Sequence, residues 1–215
     1  RRRIAMETNS EPLFPVPNLH GRVKKYLEIT GKNIRVVIGD CTDYEFLLGL
    51  VTKFSPDTII HYAEQPSAPY SMMDIRSARL TLNNNLGVTF NTIWAVMEGA
   101  PACHIIKLGT MGEYGTPNID IEEGWLEIEH KGRREKFLFP RQAGSFYHTT
   151  KILDTDLLWF YVRTYQLQIT DLMQGPVYGL STSETDLDAK LLPFFNYDDI
   201  FGTLVNLFIT QAVPG

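Results

Sequence analysis

The sequence predicts an α/β domain, a Rossmann-like doubly wound parallel sheet, and three observations carry that reading. Short apolar runs rich in β-branched residues alternate with longer stretches of helical period. Each run is apolar nearly throughout, as a strand buried on both faces of a parallel sheet should be. The runs end in polar residues and glycine, and in an open α/β sheet those ends line the ligand-binding edge.

The strand candidates are Ile34–Asp40, Thr58–Glu64, His104–Thr110 and Ile169–Gly175. Between them Asp43–Phe54, Met72–Gly99 and Gly144–Gln166 space apolar residues as helices do, with Asp43 and Ser145 placed to cap their free amides. The polar, Pro-rich stretch before Leu19 reads as a loop entering a fold already under way. Within residues 120–140, Trp125–His130 and Glu135–Phe139 flank Lys131-Gly132 as an inserted β-hairpin, either a decorated surface loop or a cover over a substrate. Tyr197–Pro214 reads as one amphipathic helix. No Gly-rich turn follows any strand, so a dinucleotide-binding domain would have its first strand and phosphate loop upstream of Arg1.

Composition narrows the function. A length of 215 residues fits one domain, and 44 % hydrophobic against 21 % charged residues suits a soluble core. The net charge of -5 excludes a basic nucleic-acid footprint, since Arg1-Arg2-Arg3 and the His130–Arg134 cluster are too short to reverse it. No run reaches the roughly 18 apolar residues of a membrane span, and no secretory segment opens the chain. Cys41 and Cys103 each adjoin an apolar run and read as reduced thiols, and metal-ligand spacing is absent.

Chemistry concentrates in Tyr147-His148-Thr149-Thr150-Lys151, where a four-residue step puts phenol and ammonium on one helical face. A free phenol ionises near ~10, and an adjacent ammonium favours the phenolate, which makes Tyr147 a candidate base; the alternative is an ordinary helix pair. The strand ending Lys107-Leu108-Gly109-Thr110 brings a hydroxyl to the same sheet edge, suited to sharing a proton with a substrate alcohol. Tyr62-Ala63-Glu64-Gln65 and Gln174-Gly175-Pro176 arrive there from two further strand ends.

A strand-end Thr followed by Tyr-x-x-x-Lys resembles the extended short-chain dehydrogenase/reductases, the NAD-dependent epimerases and dehydratases of nucleotide sugars. The unbroken string from Lys107 to Gly124, Ser145-Phe146-Tyr147-His148, Gln65 to Met72 and Phe201-Gly202-Thr203 resemble, within that family, the branch that makes the sulfonated sugar of sulfolipid. The resemblance implies NAD as cofactor, UDP-glucose as substrate and sulfite or a sulfite donor as sulfur source. It further implies a homodimer in a prokaryotic cytoplasm or plastid stroma. It divides the chain into a partial NAD-binding domain, residues 1–180, and the start of a truncated substrate-binding region, residues 181–215.

Residue by residue, the resemblance gives Thr110, Tyr147 and Lys151 the hydride steps. Asp40 with the amide of Cys41 would hold adenine, and Tyr62, Ala63, Glu64, Asn84 and Gln174 would line the cofactor. Thr110, Met111, Glu113, Tyr114, Tyr147 and Gln174 would touch the sugar. The family's 4,6-dehydratases place Asp-Glu directly after the Thr, whereas this chain has Met111-Gly112, so Glu113 and His148 become the acid and base candidates for elimination. His148 has a suitable pKa near ~6.5, but neighbours on a helix diverge by about 100°, which leaves it facing site, core or solvent. Pro66 replaces an Arg of the branch and removes a possible anion donor. The alternatives are another NAD-dependent nucleotide-sugar epimerase or dehydratase, or a non-catalytic NAD-binding module.

Overall fold

The computed structural model describes residues 2–10 and 18–212. In chain order the helices and strands are α1 (Arg2–Glu7), α2 (Leu19–Thr30), α3 (Tyr44–Phe54), β1 (Thr58–His61), α4 (Ala68–Ser71) and α5 (Ile75–Gly99). They continue with β2 (His104–Leu108), β3 (Trp125–His130), β4 (Arg133–Leu138), α6 (Phe146–Tyr165), β5 (Ile169–Leu172) and α7 (Leu204–Ala212). Two compact units result: Asp40–Gly175, and Arg1–Gly39 together with Pro176–Gly215.

The first unit is built on a parallel sheet of order β1-β2-β5, in register Ile59 to Ile105 and Ile105 to Ile169. Its core joins Val51 of α3, Ile93, Ala95 and Val96 of α5, Ile105 of β2, and Leu158 and Tyr161 of α6. Ile93, Val96 and Ile105 are almost wholly removed from water, worth about 1.5–3 kcal/mol each relative to exposure. Asp43 and Ser145 cap α3 and α6 as the sequence predicts. Helix α5 begins three residues later than expected, because Asp74 accepts from the Ser77 amide and Met72 instead terminates α4. The hairpin forms with Lys131 and Gly132 both at positive φ, 51° and 73°, which matches the twist of a two-residue turn.

Four expectations are corrected. Ile34–Asp40 forms no strand, and Ile34, Val37 and Ile38 are exposed. β-branched composition supplies propensity, but a strand exists only where another segment completes its hydrogen bonds, and none of the described residues does so here. The surviving strands alternate in burial instead of being covered on both faces, with Ile60 exposed beside buried His61. The stretch before Leu19 contains helix α1, with Ile4 and Ala5 buried, while residues 11–17 lie outside the described ones. Tyr197–Pro214 is not one helix: Asp198 accepts from the amides of Ile200 and Phe201 and makes a separate turn, and α7 starts at Leu204; Pro214 lies outside the described residues.

In the second unit, Asn18 caps α2 and Gly31 ends it with φ 69°. Arg22 of α2 donates to the Leu191 carbonyl at 2.7 Å, and Lys25 lies 3.5 Å from Asp188.

Candidate active site

The three strands stop short of their predicted ends, and the released residues, Tyr62–Glu64, Gly109–Thr110 and Met173–Gly175, form one edge. A single amide fixes the first of these. Asn85, fully buried on α5, accepts from the Gln65 backbone N at 2.8 Å and donates to the Gln65 carbonyl and the Thr150 hydroxyl, both at 3.2 Å. Gln65 adds a bond to Thr81 at 2.9 Å, which pins the strap after β1 along α5. Of the three adjacent asparagines only one points at the strap, and it is Asn85. Asn84 is half-buried and donates to Asn85 Oδ1 at 3.1 Å. From α4, the Ser71 hydroxyl accepts the Tyr147 amide at 2.9 Å and so ties the start of α6 to the same region.

After β2, the Thr110 hydroxyl accepts the Gly112 amide at 3.1 Å and caps a 3₁₀ turn over Met111–Tyr114. The Met111 amide donates to the Gln174 carbonyl at 3.0 Å, joining two strand ends, and its side chain is exposed. Tyr114 is buried edge-on against Phe139, with ring centres 5.8 Å apart. Gly112 settles the orientation of His148: a β-carbon there would collide with Nε2 of the imidazole, so the ring lies against the 3₁₀ turn. His148 Nδ1 is 2.8 Å from the Ser145 hydroxyl, and its ring centre is 5.0 Å from that of Tyr147. Burial, then the charge of Lys151, holds its pKa below the ordinary imidazole value.

The ion-pair partner of Lys151 is an acid at another strand end. Lys151 donates to Glu64 Oε2 at 2.7 Å, with both side chains almost completely buried. The Tyr147 phenol is pushed up to about 12, first by burial and next by the Glu64 carboxylate. The ammonium that was to favour the phenolate is thus neutralised by an acid that disfavours it. Glu64 Oε1 is buried without a hydrogen-bond partner, 3.4 Å from His61 Nε2. His61, held at a pKa of about 3 by burial and by Lys151 and Lys107, is neutral and bonds the Thr89 hydroxyl at 3.1 Å.

Beneath this edge lies a buried charge network. Lys107, fully buried, lies 3.5 Å from Asp171 Oδ2 and 3.9 Å from Glu113 Oε1, and donates to the Lys151 carbonyl at 3.4 Å. Glu113 is itself fully buried, bonded by Arg141 at 3.1 Å and by Thr155 at 3.2 Å. Burial raises its pKa and Lys107 opposes the rise. Glu113 therefore holds the framework instead of opening on the edge. Gly109 is required here, because a β-carbon would overlap the Asp171 carboxylate. The signal in the sequence was a Lys inside the apolar strand His104–Leu108, since such a residue must find acids when buried.

Asp154, three residues after Lys151, is fully buried among Glu64, Lys107, Lys151 and the Thr89 hydroxyl. Burial raises its pKa to about 7, the neighbouring Glu64 adds to the rise, and Lys107 and Lys151 oppose it. The unfolded carboxyl releases its proton near the ordinary value while the folded one keeps it. Stability is therefore lost as pH rises from about 4 to about 7, and stays lower above that. Asp154→Asn removes this liability, so in urea unfolding the variant should gain on the parent between about pH 4.5 and about pH 8. Parallel stability profiles for the two proteins would sink that assignment.

Asp40 and Cys41 stand at the head of α3. Asp40 Oδ1 accepts from the amide and hydroxyl of Thr42, which lowers its pKa, and the Cys41 carbonyl accepts from Asn91 of α5 at 3.1 Å. Tyr62 and Ala63 are exposed at the end of β1. The hairpin leans on α6 through Trp125 and Trp159, ring centres 4.5 Å apart, over a cavity of about 610 Å³ that Thr155 and Asp171 also line.

The profile of the NAD dependent epimerase/dehydratase family matches residues 9–196. The chain belongs to that family. NAD is the cofactor by which the family is defined. Over all 215 residues the chain is 44 % identical to UDP-sulfoquinovose synthase, chloroplastic, of Spinacia oleracea, covering 45 % of that protein. It is equally 44 % identical over 215 residues to UDP-sulfoquinovose synthase of Sulfolobus acidocaldarius, covering 54 %. The chain spans about half the length of the curated relatives it matches. Among solved structures of the family's fold are a UDP-N-acetylglucosamine 4-epimerase from Methanobrevibacter ruminantium (TM-score 0.62, 17 % identity, 86 % of this chain and 49 % of that one) and DesIV, a dTDP-glucose 4,6-dehydratase from Streptomyces venezuelae (0.58, 18 %, 88 % and 47 %). The family's cofactor finds chemistry that suits it here: the buried, unpartnered Glu64 Oε1 is an acceptor awaiting a hydroxyl donor, at a strand end where dinucleotides bind.

Proposed function

We propose that the protein to which this chain belongs is a UDP-sulfoquinovose synthase, which converts UDP-glucose and sulfite, or a donor of sulfite, to UDP-sulfoquinovose through a 4-keto sugar. What carries the reading is the two synthase-named relatives, each matched over the whole chain, and His148 lying against the turn after the strand-end Thr110 supports it. NAD, when bound, supplies an acceptor for hydrogen from sugar carbon 4 and returns it later in the same turnover. Asp40, Cys41, Tyr62, Ala63, Glu64 and Gln174 would hold it, with Asn85 in place of Asn84 fixing the strap.

Tyr147 would take the proton of the carbon 4 hydroxyl and give it back, with the Thr110 hydroxyl sharing the substrate alcohol. The ketone acidifies carbon 5; neutral His148 takes that proton and delivers it to the hydroxyl leaving carbon 6, so that water departs and a double bond joins carbons 5 and 6. Sulfite then adds at carbon 6 and a proton returns to carbon 5. Met111 and Gln174 border the sugar, while Glu113 and Tyr114 support the turn from beneath.

The same reading gives a homodimer. Phe90, Trp94, Tyr161 and Tyr165 form a continuous aromatic row across α5 and α6, with Phe90 and Tyr165 exposed at its ends, a surface a second copy would cover. It also gives a plastid stroma or a prokaryotic cytoplasm as compartment, in line with the chloroplastic and archaeal relatives.

The test is to incubate protein containing this chain with NAD, UDP-glucose and sulfite. A sulfonated nucleotide sugar, read by mass spectrometry, is the expected product. An epimer or a free 4-keto sugar alone would assign the protein to another activity of its family.

A further inference from the structure

We propose that Arg141 is a positioning residue that sets the Thr110 turn against the helix bearing Tyr147, by gripping Glu113 of the one and Asp156 of the other with a single guanidinium. The inference rests on the reading in which Thr110 and Tyr147 share one substrate alcohol, and it gives the inserted hairpin a task at its root.

The contact is a fork. Arg141 Nη1 donates to Glu113 Oε2 at 3.1 Å, and Nη2 donates to Asp156 Oδ1 at 2.8 Å. The Arg141 side chain is 6 % exposed and that of Glu113 is wholly buried, so water competes little for the first arm. A guanidinium is planar and its two nitrogens stand at a fixed separation, so carboxylates held by both are held at a set distance. Thr155 of α6 adds a bond to the same Glu113 carboxylate at 3.2 Å. Buried ion pairs add little net stability over an apolar filling of the same space, whereas a fork of this kind dictates geometry.

The rest of the hairpin exit follows the same path. Residues 139–142 run beside residues 113–115: Phe139 meets Tyr114 edge-on, Arg141 takes Glu113, and a β-carbon at Gly115 would overlap the Gln142 carbonyl. The Phe139 amide donates to the Gly124 carbonyl at 3.0 Å and closes the hairpin just before this segment. On its other side the 3₁₀ turn holds Thr110, whose hydroxyl accepts the Gly112 amide at 3.1 Å and whose carbonyl accepts the Glu113 amide at 3.2 Å. Glu113 thus meets Arg141 with its side chain and Thr110 with its amide. Through Asp156 the same guanidinium reaches α6, so one side chain spans the two elements that carry the hydroxyl and the phenol.

Two substitutions in protein containing this chain test it. Arg141→Lys keeps the charge and loses the fork. Asp156→Ala removes the arm to α6 at a side chain that is 58 % exposed, where the fold is not at risk, and serves if the lysine variant does not fold. Hydrogen exchange read by NMR compares the amides of Gly112, Glu113 and Gly115 with that of Ile105 in β2, which donates to the Gln168 carbonyl at 2.9 Å. The three turn amides are expected to exchange about tenfold faster while Ile105 keeps the parent rate. Equal acceleration at all four would make the fork a matter of stability alone and overturn the proposal, as would no change at any of them. The exchange rates need no substrate: a loosened turn in a protein that forms no sulfonated sugar would defeat that activity and leave the grip of Arg141 intact. In active protein, both variants should slow single-turnover reduction of NAD about tenfold with KM for the nucleotide sugar little changed. Reduction at the parent rate despite a loosened turn would deny Arg141 its positioning role.

Discussion

Tyr147→Phe in protein containing this chain is expected to lower kcat by about 10²–10⁴-fold, the usual scale for losing a positioned proton-transfer group. KM for the nucleotide sugar should change little, since the ring remains and only the hydroxyl is deleted. Folding should be preserved, because what ties Tyr147 to the structure is its backbone: its amide donates to Ser71 and its carbonyl accepts from Thr150. Single-turnover reduction of NAD, followed by its absorbance, separates this step from later ones. Undiminished reduction would remove Tyr147 from the chemistry and shift attention to Thr110 or His148.

The largest stability effect is expected from Lys107→Met. The ammonium is fully buried and lies between Glu113 and Asp171, with the Thr155 hydroxyl 3.3 Å away. A thioether of similar length fills the space but leaves Asp171 without its cation and Glu113 with Arg141 alone. Breaking a buried pair on one side costs about 3–5 kcal/mol, which urea unfolding would register as a lower midpoint with an unchanged slope. The deficit should shrink in mildly acid solution, where the raised pKa of Glu113 lets it take a proton and shed its charge. A variant within about 1 kcal/mol of the parent at neutral pH would mean that the Lys107 ammonium does not hold this network together.

How far the sequence could be read follows a physical dividing line. The α/β class, the capped starts of α3 and α6 and the two-residue hairpin turn were legible, because each depends on local spacing and on one side chain reaching its own backbone. Thr110, Tyr147 and Lys151 could be singled out as candidates for the same reason, as motifs written within a few residues. Ile34–Asp40 was misread because a strand is a relation between two segments, and its residues record only one of them. Helix spacing set Lys151 one turn from Tyr147 but could not name its ion-pair partner, Glu64, 87 positions away along the chain. Asn85, Asp154 and Arg141 acquire meaning only from residues brought to them by folding. His148 lay between these cases, since helix geometry left its direction open and Gly112, a bare position on another element, settled it.

The Asn85 amide has a consequence for how this sequence is free to drift. It accepts two hydrogen bonds with its oxygen and donates two with its nitrogen, toward strap and helix at once. Aspartate offers acceptors alone, and an aliphatic residue offers neither. A lineage that changed position 85 would have to rewrite the hydrogen bonding of Gln65 and Thr150 in the same step, so ancestry can travel through the surrounding residues far more easily than through this one.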